Sequence, residues 1–207
     1  MTKGLLLDRD GTIIELFEHL HRPQDVSLLP GAARVIGLAN EQGLPVGVVT
    51  NQSGIARHLF GWAEFDYVSD EIERQLWAEG SWLDGVSACP FHPGFTPDWG
   101  SEHAHWRKPG GGMLELVGSA LEMDLAASWM MGDNITDIAA ARAARMAGAV
   151  HVATGHGEGY RREALAQANE DFAVELAADI GEAGEILARR GFFVSDAAQT
   201  IGANDGR

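Results

Sequence analysis

The sequence predicts a doubly wound α/β domain, Rossmann-like, with a mostly parallel sheet and helices on both faces. Three observations predict it. Short apolar runs alternate with longer segments of helical periodicity along most of the chain. The short runs are continuously apolar, as strands covered on both faces require. Three of them end in polar residues, Asp8, Thr50 and Asp133. Open α/β sheets bind ligands beyond the carboxyl ends of their strands, so these residues are the first functional clue.

The elements follow in order. Residues 4–7, Gly-Leu-Leu-Leu, read as a buried strand stopped by Asp8. Residues 31–42 read as a helix on Ala33, Ile36, Leu38 and Ala39, with Gly43 as its stop. Residues 46–49 are a second strand, ending at Thr50-Asn51. Residues 63–79 read as an amphipathic helix with Phe65, Val68, Ile72, Leu76 and Trp77 on its apolar side. Residues 85–88 are a third strand. Residues 89–106 hold prolines, glycines, histidines and aromatics, and an irregular loop is expected there. Helix is expected over 113–121, strand over 129–131, alanine-rich helix over 137–146 and strand over 149–153. A short last strand over 173–174 and a helix over 180–189 complete the pattern. One domain over 1–192 is expected, its loop 89–107 walling the site, with a polar, frayed tail over 193–207.

Composition bounds the function. The 207 residues suit one domain, and 45% hydrophobic with 22% charged residues excludes wholesale disorder. Fifteen basic against thirty acidic side chains leave a net charge of −15, and no basic stripe is visible. Neither nucleic acid nor an anionic membrane is expected as a partner. An anionic small molecule would need a local cluster of cations or a metal. The one cysteine, Cys89, cannot close an intramolecular disulfide, and no apolar run reaches membrane-spanning length. The first seven residues are too short an apolar run for a signal peptide, so a cytoplasmic, soluble protein is expected.

The strand ends carry the chemistry. Asp8-Arg9-Asp10-Gly11-Thr12 puts two carboxylates just after a strand. They repel unless one is protonated or a cation sits between them, and hard oxygen ligands favour Mg²⁺. Taken alone, the segment is equally an acidic turn. Thr50-Asn51-Gln52 offers a hydroxyl and two amides, or an ordinary helix cap. Asp133 ends another strand, and Asp137 alone reads as a charge complementing a helix dipole. Arg107-Lys108 is a compact cation pair in an acidic chain. Together, at one edge of one sheet, these groups can handle a phosphate: metal and lysine neutralise charge, while hydroxyl and amides position oxygens.

The ordered set Asp8-Arg9-Asp10-Gly11-Thr12, Thr50-Asn51, Lys108 and Gly132-Asp133 with Asp137 resembles the four motifs of the haloacid dehalogenase superfamily. Within it, residues 4–155 resemble the family of D-glycero-D-manno-heptose 1,7-bisphosphate 7-phosphatases and histidinol-phosphate phosphatases. The carriers are residues 7–13, 48–57, Cys89-Pro90, and Arg107-Lys108-Pro109 with Gly112-Met113-Leu114. The resemblance implies a Mg²⁺-dependent phosphomonoesterase. Asp8 would be the nucleophile, forming an aspartyl-phosphate. Asp10 would protonate the leaving alkoxide and then activate water. Mg²⁺ would be held by Asp8, the Asp10 backbone carbonyl and Asp133. Thr50 and Asn51 would bind the transferring phosphoryl group, Lys108 would offset charge, and Asp137 would support Lys108 or the metal. Arg107 would meet a second phosphate at the far end of the substrate.

Spacing adds two expectations. Only helix and loop fit between Asp10 and Thr50, and one helix, one short strand and the irregular loop fill Thr50 to Lys108, so an uncapped core is expected. The family often carries a structural Zn²⁺ in the loop before Arg-Lys-Pro, and this sequence departs from that pattern. Phe91 replaces a histidine, and Ala104 and Trp106 replace two cysteines. Cys89, His92, His103 and His105 would make a shifted zinc site only if the backbone there is extended or kinked. The alternative is a metal-free loop packed by Phe91, Phe95, Trp99 and Trp106. The expected partner is a small phosphorylated sugar or metabolite, with histidinol phosphate as the nearby alternative. A non-catalytic phospho-ligand-binding protein is the alternative of another class, and intact Asp8 and Asp10 argue against it.

Overall fold

The computed structural model describes residues 1–194. Six strands form one sheet in which every pair is parallel: β1 (Leu5–Leu7), β2 (Val46–Asn51), β3 (Gly85–Cys89), β4 (Trp129–Gly132), β5 (Gly148–Val152) and β6 (Ala173–Ala177). Their order across the sheet is β3-β2-β1-β4-β5-β6. The order reverses between β1 and β4, which opens a crevice beyond their carboxyl ends.

Side-chain alternation sorts the core into two layers. Leu5 and Leu7 of β1 point to one face, where Val46, Val48, Met131 and Val150 join them. Three helices cover that face: α1 (Ala32–Glu41), α3 (Trp62–Ala78) and α8 (Ile180–Arg189), through Val35 and Ile36, Val68 and Ile72, and Ala183 and Leu187. Leu6 points the other way with Val49, Met130 and Ala149. It meets α5 (Gly112–Ala120), α6 (Ile135–Ala143) and α7 (Arg161–Leu165) through Met113, Leu114, Ile138 and Ala164. Double coverage explains why the strands read as unbroken apolar runs.

The six expected strands and five expected helices appear within a few residues of their predicted bounds. Three short helices were not expected: α2 (Ser53–Ala56), α4 (Ser101–Trp106) and α7. The second lies inside the segment read as irregular. No other multi-stranded sheet occurs among the described residues, so only loops and helices frame the crevice. Most of the expected polar tail, 195–207, lies outside the described residues. Phe193, the first residue expected in the tail, is instead buried with Phe192 against the α1/α3/α8 layer, so the packed domain runs past 192. Lys3 Nζ donates to the Phe192 carbonyl, and Gln42 exchanges two hydrogen bonds with Val194.

Candidate active site

The parallel ladder delivers Asp8 into the crevice. Its N–H donates to Met131 O (2.9 Å), extending β1 by one rung, and the residue is 7% exposed. The chain then turns sharply: Ile13 and Ile14 N–H both return to Arg9 O. Gly11 sits at φ +82°, which favours glycine, and a methyl group there would also lie 2.5 Å from Asp133 Oδ2. Asp133 emerges from neighbouring β4, and its Oδ2 accepts the His156 N–H (2.7 Å). Gly155, at φ +58°, packs beside Gly11, and a methyl group there would meet the same oxygen. Thr154 Oγ1 ties this second loop to Gly11 O (2.6 Å).

Asp137 starts α6 as the reciprocal partner in a capping box: its Oδ2 accepts the Asn134 N–H (2.9 Å), while Asn134 Oδ1 accepts the Thr136 N–H (3.1 Å). Its other oxygen, Oδ1, lies 2.7 Å from Lys108 Nζ. Lys108 Nζ also donates to Asp8 Oδ1 (2.5 Å) and to Val49 O (2.8 Å), so all three of its protons are used. The Asn51 side chain fixes the lysine backbone from β2, donating to Lys108 O and accepting from Lys108 N, each at 3.1 Å. The Asn51 amide, expected on the phosphoryl group, is thus largely taken up by Lys108.

Asp10 stands apart from this cluster. Arg9, 2% exposed, grips its carboxylate with Nε to Oδ2 (3.1 Å) and Nη2 to Oδ1 (3.0 Å). Gln52 Nε2 donates to Asp10 Oδ2 (2.9 Å) and to Thr50 Oγ1 (2.8 Å). Sequence reasoning left Arg9 without a role and counted Gln52 only as an amide that could position oxygens, although both sit inside quoted motifs. Gly155 and His156 carried no signal at all, since a loop backbone rather than a side chain does the bracing.

The charges do not balance. Asp8, Asp133 and Asp137 bring oxygens within 4.8 Å of one another, and all three are buried. One lysine answers three carboxylates, which leaves two negative charges if all ionise. Burial lifts the Asp8 carboxyl well above its usual range; Lys108 opposes this, and Asp137 and Asp133 add to it. Burial and then Asp137 push Asp133 up from 3.8 to about 6. Burial alone would lower the Lys108 ammonium, but Asp137 and Asp8 outweigh it and hold it protonated. A buried, oxygen-only cluster with two surplus negative charges fits a hard divalent cation such as Mg²⁺.

A cleft of about 380 Å³ opens above, lined by Asp8, Asp10, Thr50, Gln52, Lys108, Asp133, Arg107 and the segment Leu16–Leu20. Arg107, half-buried, donates to Phe91 O (2.9 Å). Arg57 lies against the Phe95 ring (4.6 Å) and 3.2 Å from His92 Nε2. Burial, with Arg107 and Arg57 close by, holds the His92 imidazole below its ordinary value.

The expected zinc ligands do not assemble. Among the described residues, Asp8, Asp133 and Asp137 make the one convergent group of three or more candidate metal ligands. Residues 101–106 are helical, so His103 and His105, two positions apart, point about 160° apart around the axis. His103 Nδ1 accepts the Gly100 N–H (3.1 Å), and its ring lies between Phe91 and Trp99. His105 faces Glu115 (3.5 Å). Cys89 is buried, and burial raises its thiol. The loop is held by aromatic packing.

Comparisons with known proteins agree with this geometry. The HAD-hydrolase-like family model matches residues 105–183. A D-glycero-beta-D-manno-heptose-1,7-bisphosphate 7-phosphatase from Mesorhizobium japonicum is 36% identical over 185 residues, covering 89% of this chain and 81% of that protein. A crystal structure from Mesorhizobium loti, described as that of a HAD-like phosphatase, superposes with a TM-score of 0.78 at 33% identity, covering 94% of this chain and 89% of the other. The D,D-heptose 1,7-bisphosphate phosphatase of B. bronchiseptica, solved with magnesium and phosphate, gives a TM-score of 0.75 at 29% identity, covering 91% of this chain and 99% of the other.

Proposed function

This chain belongs to the HAD-like phosphatases, in the family of the heptose 1,7-bisphosphate 7-phosphatases, and from that premise we propose that it removes the 7-phosphate of D-glycero-β-D-manno-heptose 1,7-bisphosphate by way of an aspartyl-phosphate. The carrying observation is the pair of carboxylates two residues apart in opposite settings. Asp8 is buried on Lys108, while Asp10 is partly exposed and held by Arg9. Lys108 beside Asp8 favours the ionised form that attack needs, and the cleft-lining position of Asp10 lets it exchange a proton with substrate and then with water.

Asp8 attacks phosphorus through the oxygen that does not bind Lys108. Lys108 keeps that carboxylate oriented and takes up part of the phosphoryl charge. Asp10 gives its proton to the leaving sugar oxygen. It then takes a proton from the water that hydrolyses the aspartyl-phosphate. Thr50 Oγ1 lies beside Asp10 and supplies a hydroxyl to the phosphoryl oxygens. Asp8, Asp133 and the Asp10 backbone carbonyl would hold Mg²⁺, which would supply further charge stabilisation. Asp137 holds Lys108 in line. Arg107, with Arg57 nearby, meets the second phosphate, which favours a bisphosphate over histidinol phosphate. No helix among the described residues is long and apolar enough to cross a membrane, and Cys89 is a buried free thiol. Both fit work in the cytoplasm on a freely diffusing substrate.

The test is phosphate release from both anomers of heptose 1,7-bisphosphate, histidinol phosphate, fructose 1,6-bisphosphate and an aryl phosphate, with and without Mg²⁺. Preference for the β-anomer, abolished in Asp8→Asn, is the expected outcome. Equal rates on all substrates would sink the substrate assignment. Turnover persisting in Asp8→Asn would sink the mechanism.

A further inference from the structure

The proton-transfer carboxylate is held asymmetrically. Asp10 Oδ2 lies within reach of Arg9 Nε (3.1 Å), Arg9 Nη2 (2.9 Å) and Gln52 Nε2 (2.9 Å), with Thr50 Oγ1 at 3.5 Å. Among the described residues, Oδ1 receives one donor, Arg9 Nη2 at 3.0 Å. A carboxylate oxygen offers two lone-pair sites. Oδ2 is therefore saturated, and Oδ1 keeps one direction free. The side chain is 21% exposed and lines the cleft.

The donors are themselves held. Arg9 is 3% exposed at its side chain and packs its guanidinium 5.5 Å from the Phe65 ring centroid, on α3. Gln52 is 5% exposed and spends both amide protons inside the site, one on Asp10 and one on Thr50. That second bond gives Gln52 a specific task. It links the acid to the hydroxyl expected on the phosphoryl group, so the two move as one unit.

We propose that Arg9 and Gln52 are positioning residues: they lock Asp10 by Oδ2, and Oδ1 is the oxygen through which the proton passes in both half-reactions. The inference rests on the phosphatase reading above. In the first half-reaction the Asp8 oxygen forms a bond to phosphorus and the ester P–O bond breaks. The electron pair of that bond goes to the leaving oxygen, which takes the proton from Oδ1. In the second, water bonds to phosphorus, its proton returns to Oδ1, and the Asp8–phosphorus bond breaks to release inorganic phosphate. Loss of the lock breaks no bond to Asp8, Lys108 or the buried acids, so it falls mainly on the step that needs a well-placed proton, with a smaller effect through Thr50.

Leaving-group dependence separates this role from a structural one. An alkyl leaving group needs the proton, whereas 2,4-dinitrophenolate departs without it. The kcat/KM value reports the steps through aspartyl-phosphate formation, so it isolates the acid step. Gln52→Met keeps the volume and removes the donor. It is expected to lower kcat/KM for the sugar phosphate by about tenfold or more, and for 2,4-dinitrophenyl phosphate by less than about threefold. Arg9→Lys keeps the charge, loses the fork and is expected to give the same pattern. Thermal melting and Mg²⁺ binding of each variant check the fold, and whichever variant folds carries the test. Equal losses on both substrates would overturn the positioning role. A wild-type enzyme that hydrolyses neither substrate would instead overturn the phosphatase reading, so the two failures are distinguishable.

Discussion

Replacing Lys108 by methionine removes the cation that three buried carboxylates share. Its ammonium, 2% exposed, makes ion pairs with Asp8 (2.5 Å) and Asp137 (2.7 Å). Removing one partner of a buried pair costs about 3–5 kcal/mol, because the remaining charge has no solvent to turn to. Two carboxylates lose their partner here, so the lower end of that range is a floor at neutral pH. A domain of this size loses about 2–4 °C of Tm per kcal/mol, which translates to roughly 6–20 °C. The sign of the pH dependence is also determined. Without the lysine, the Asp8 carboxyl rises further above its unfolded value, so the native state binds more protons and stability falls as pH rises between the two. The deficit of Lys108→Met relative to wild type should therefore be large at pH 8 and smaller at pH 5. Calorimetric melts of both proteins without divalent ions, across that range, make the measurement. A variant melting within about 2 °C of wild type at pH 8, or a deficit that grows as pH falls, would refute the electrostatic account.

Other outcomes follow from the same cluster. Asp133 is raised from 3.8 to about 6, so its ionisation in the metal-free fold costs on the order of 3 kcal/mol, a cost present above pH 6 and absent below about pH 4. Saturating Mg²⁺ should therefore raise Tm more at pH 7.5 than at pH 5, and an equal rise at both would contradict the assignment. Gly155→Ala should weaken Mg²⁺ affinity measured by calorimetry, since its methyl group meets Asp133 Oδ2 at a positive φ; unchanged affinity would mean that the loop yields freely. Arg107→Ala should raise KM for the bisphosphate about 10- to 100-fold, the worth of one charged hydrogen bond, while altering KM for an aryl phosphate little. Comparable changes on both would place Arg107 outside substrate recognition.

What could be read from the sequence divides along physical lines. The strands were legible because coverage on both faces demands continuous apolar runs, and Leu5-Leu6-Leu7 is such a run. The long helices were legible because each buries one stripe. Helices α2, α4 and α7 have four to six residues, too few to show a period, and their form depends on tertiary contacts. Helix α4 also decided the zinc question, since its winding parts His103 from His105. In the site, the legible residues were those whose chemistry lies in a charged side chain: Asp8, Lys108, Asp133 and Asp137 cluster, and Asp10 lines the same cleft. Gln52 was seen as a polar strand end, but its double donation depends on where Asp10 stands. Asn51 took a different partner because Lys108 presents backbone, not side chain, to it. Gly11 and Gly155 act by lacking a Cβ, which no list of reactive residues would contain.

The Lys108–Asp8 contact joins positions 100 residues apart, and Thr154 reaches back 143 residues to Gly11. The site is thus closed by contacts between distant parts of the chain, made only when β1, β2 and β4 lie side by side. Half of the molecule cannot hold a weaker version of it. Contacts of such sequence separation are late and slow to form. Here they also draw like charges together, so the last stage of assembly works against its own electrostatics. Recovery of turnover during refolding should trail recovery of helical circular dichroism. A divalent cation added early should shorten that lag rather than alter the helical phase before it.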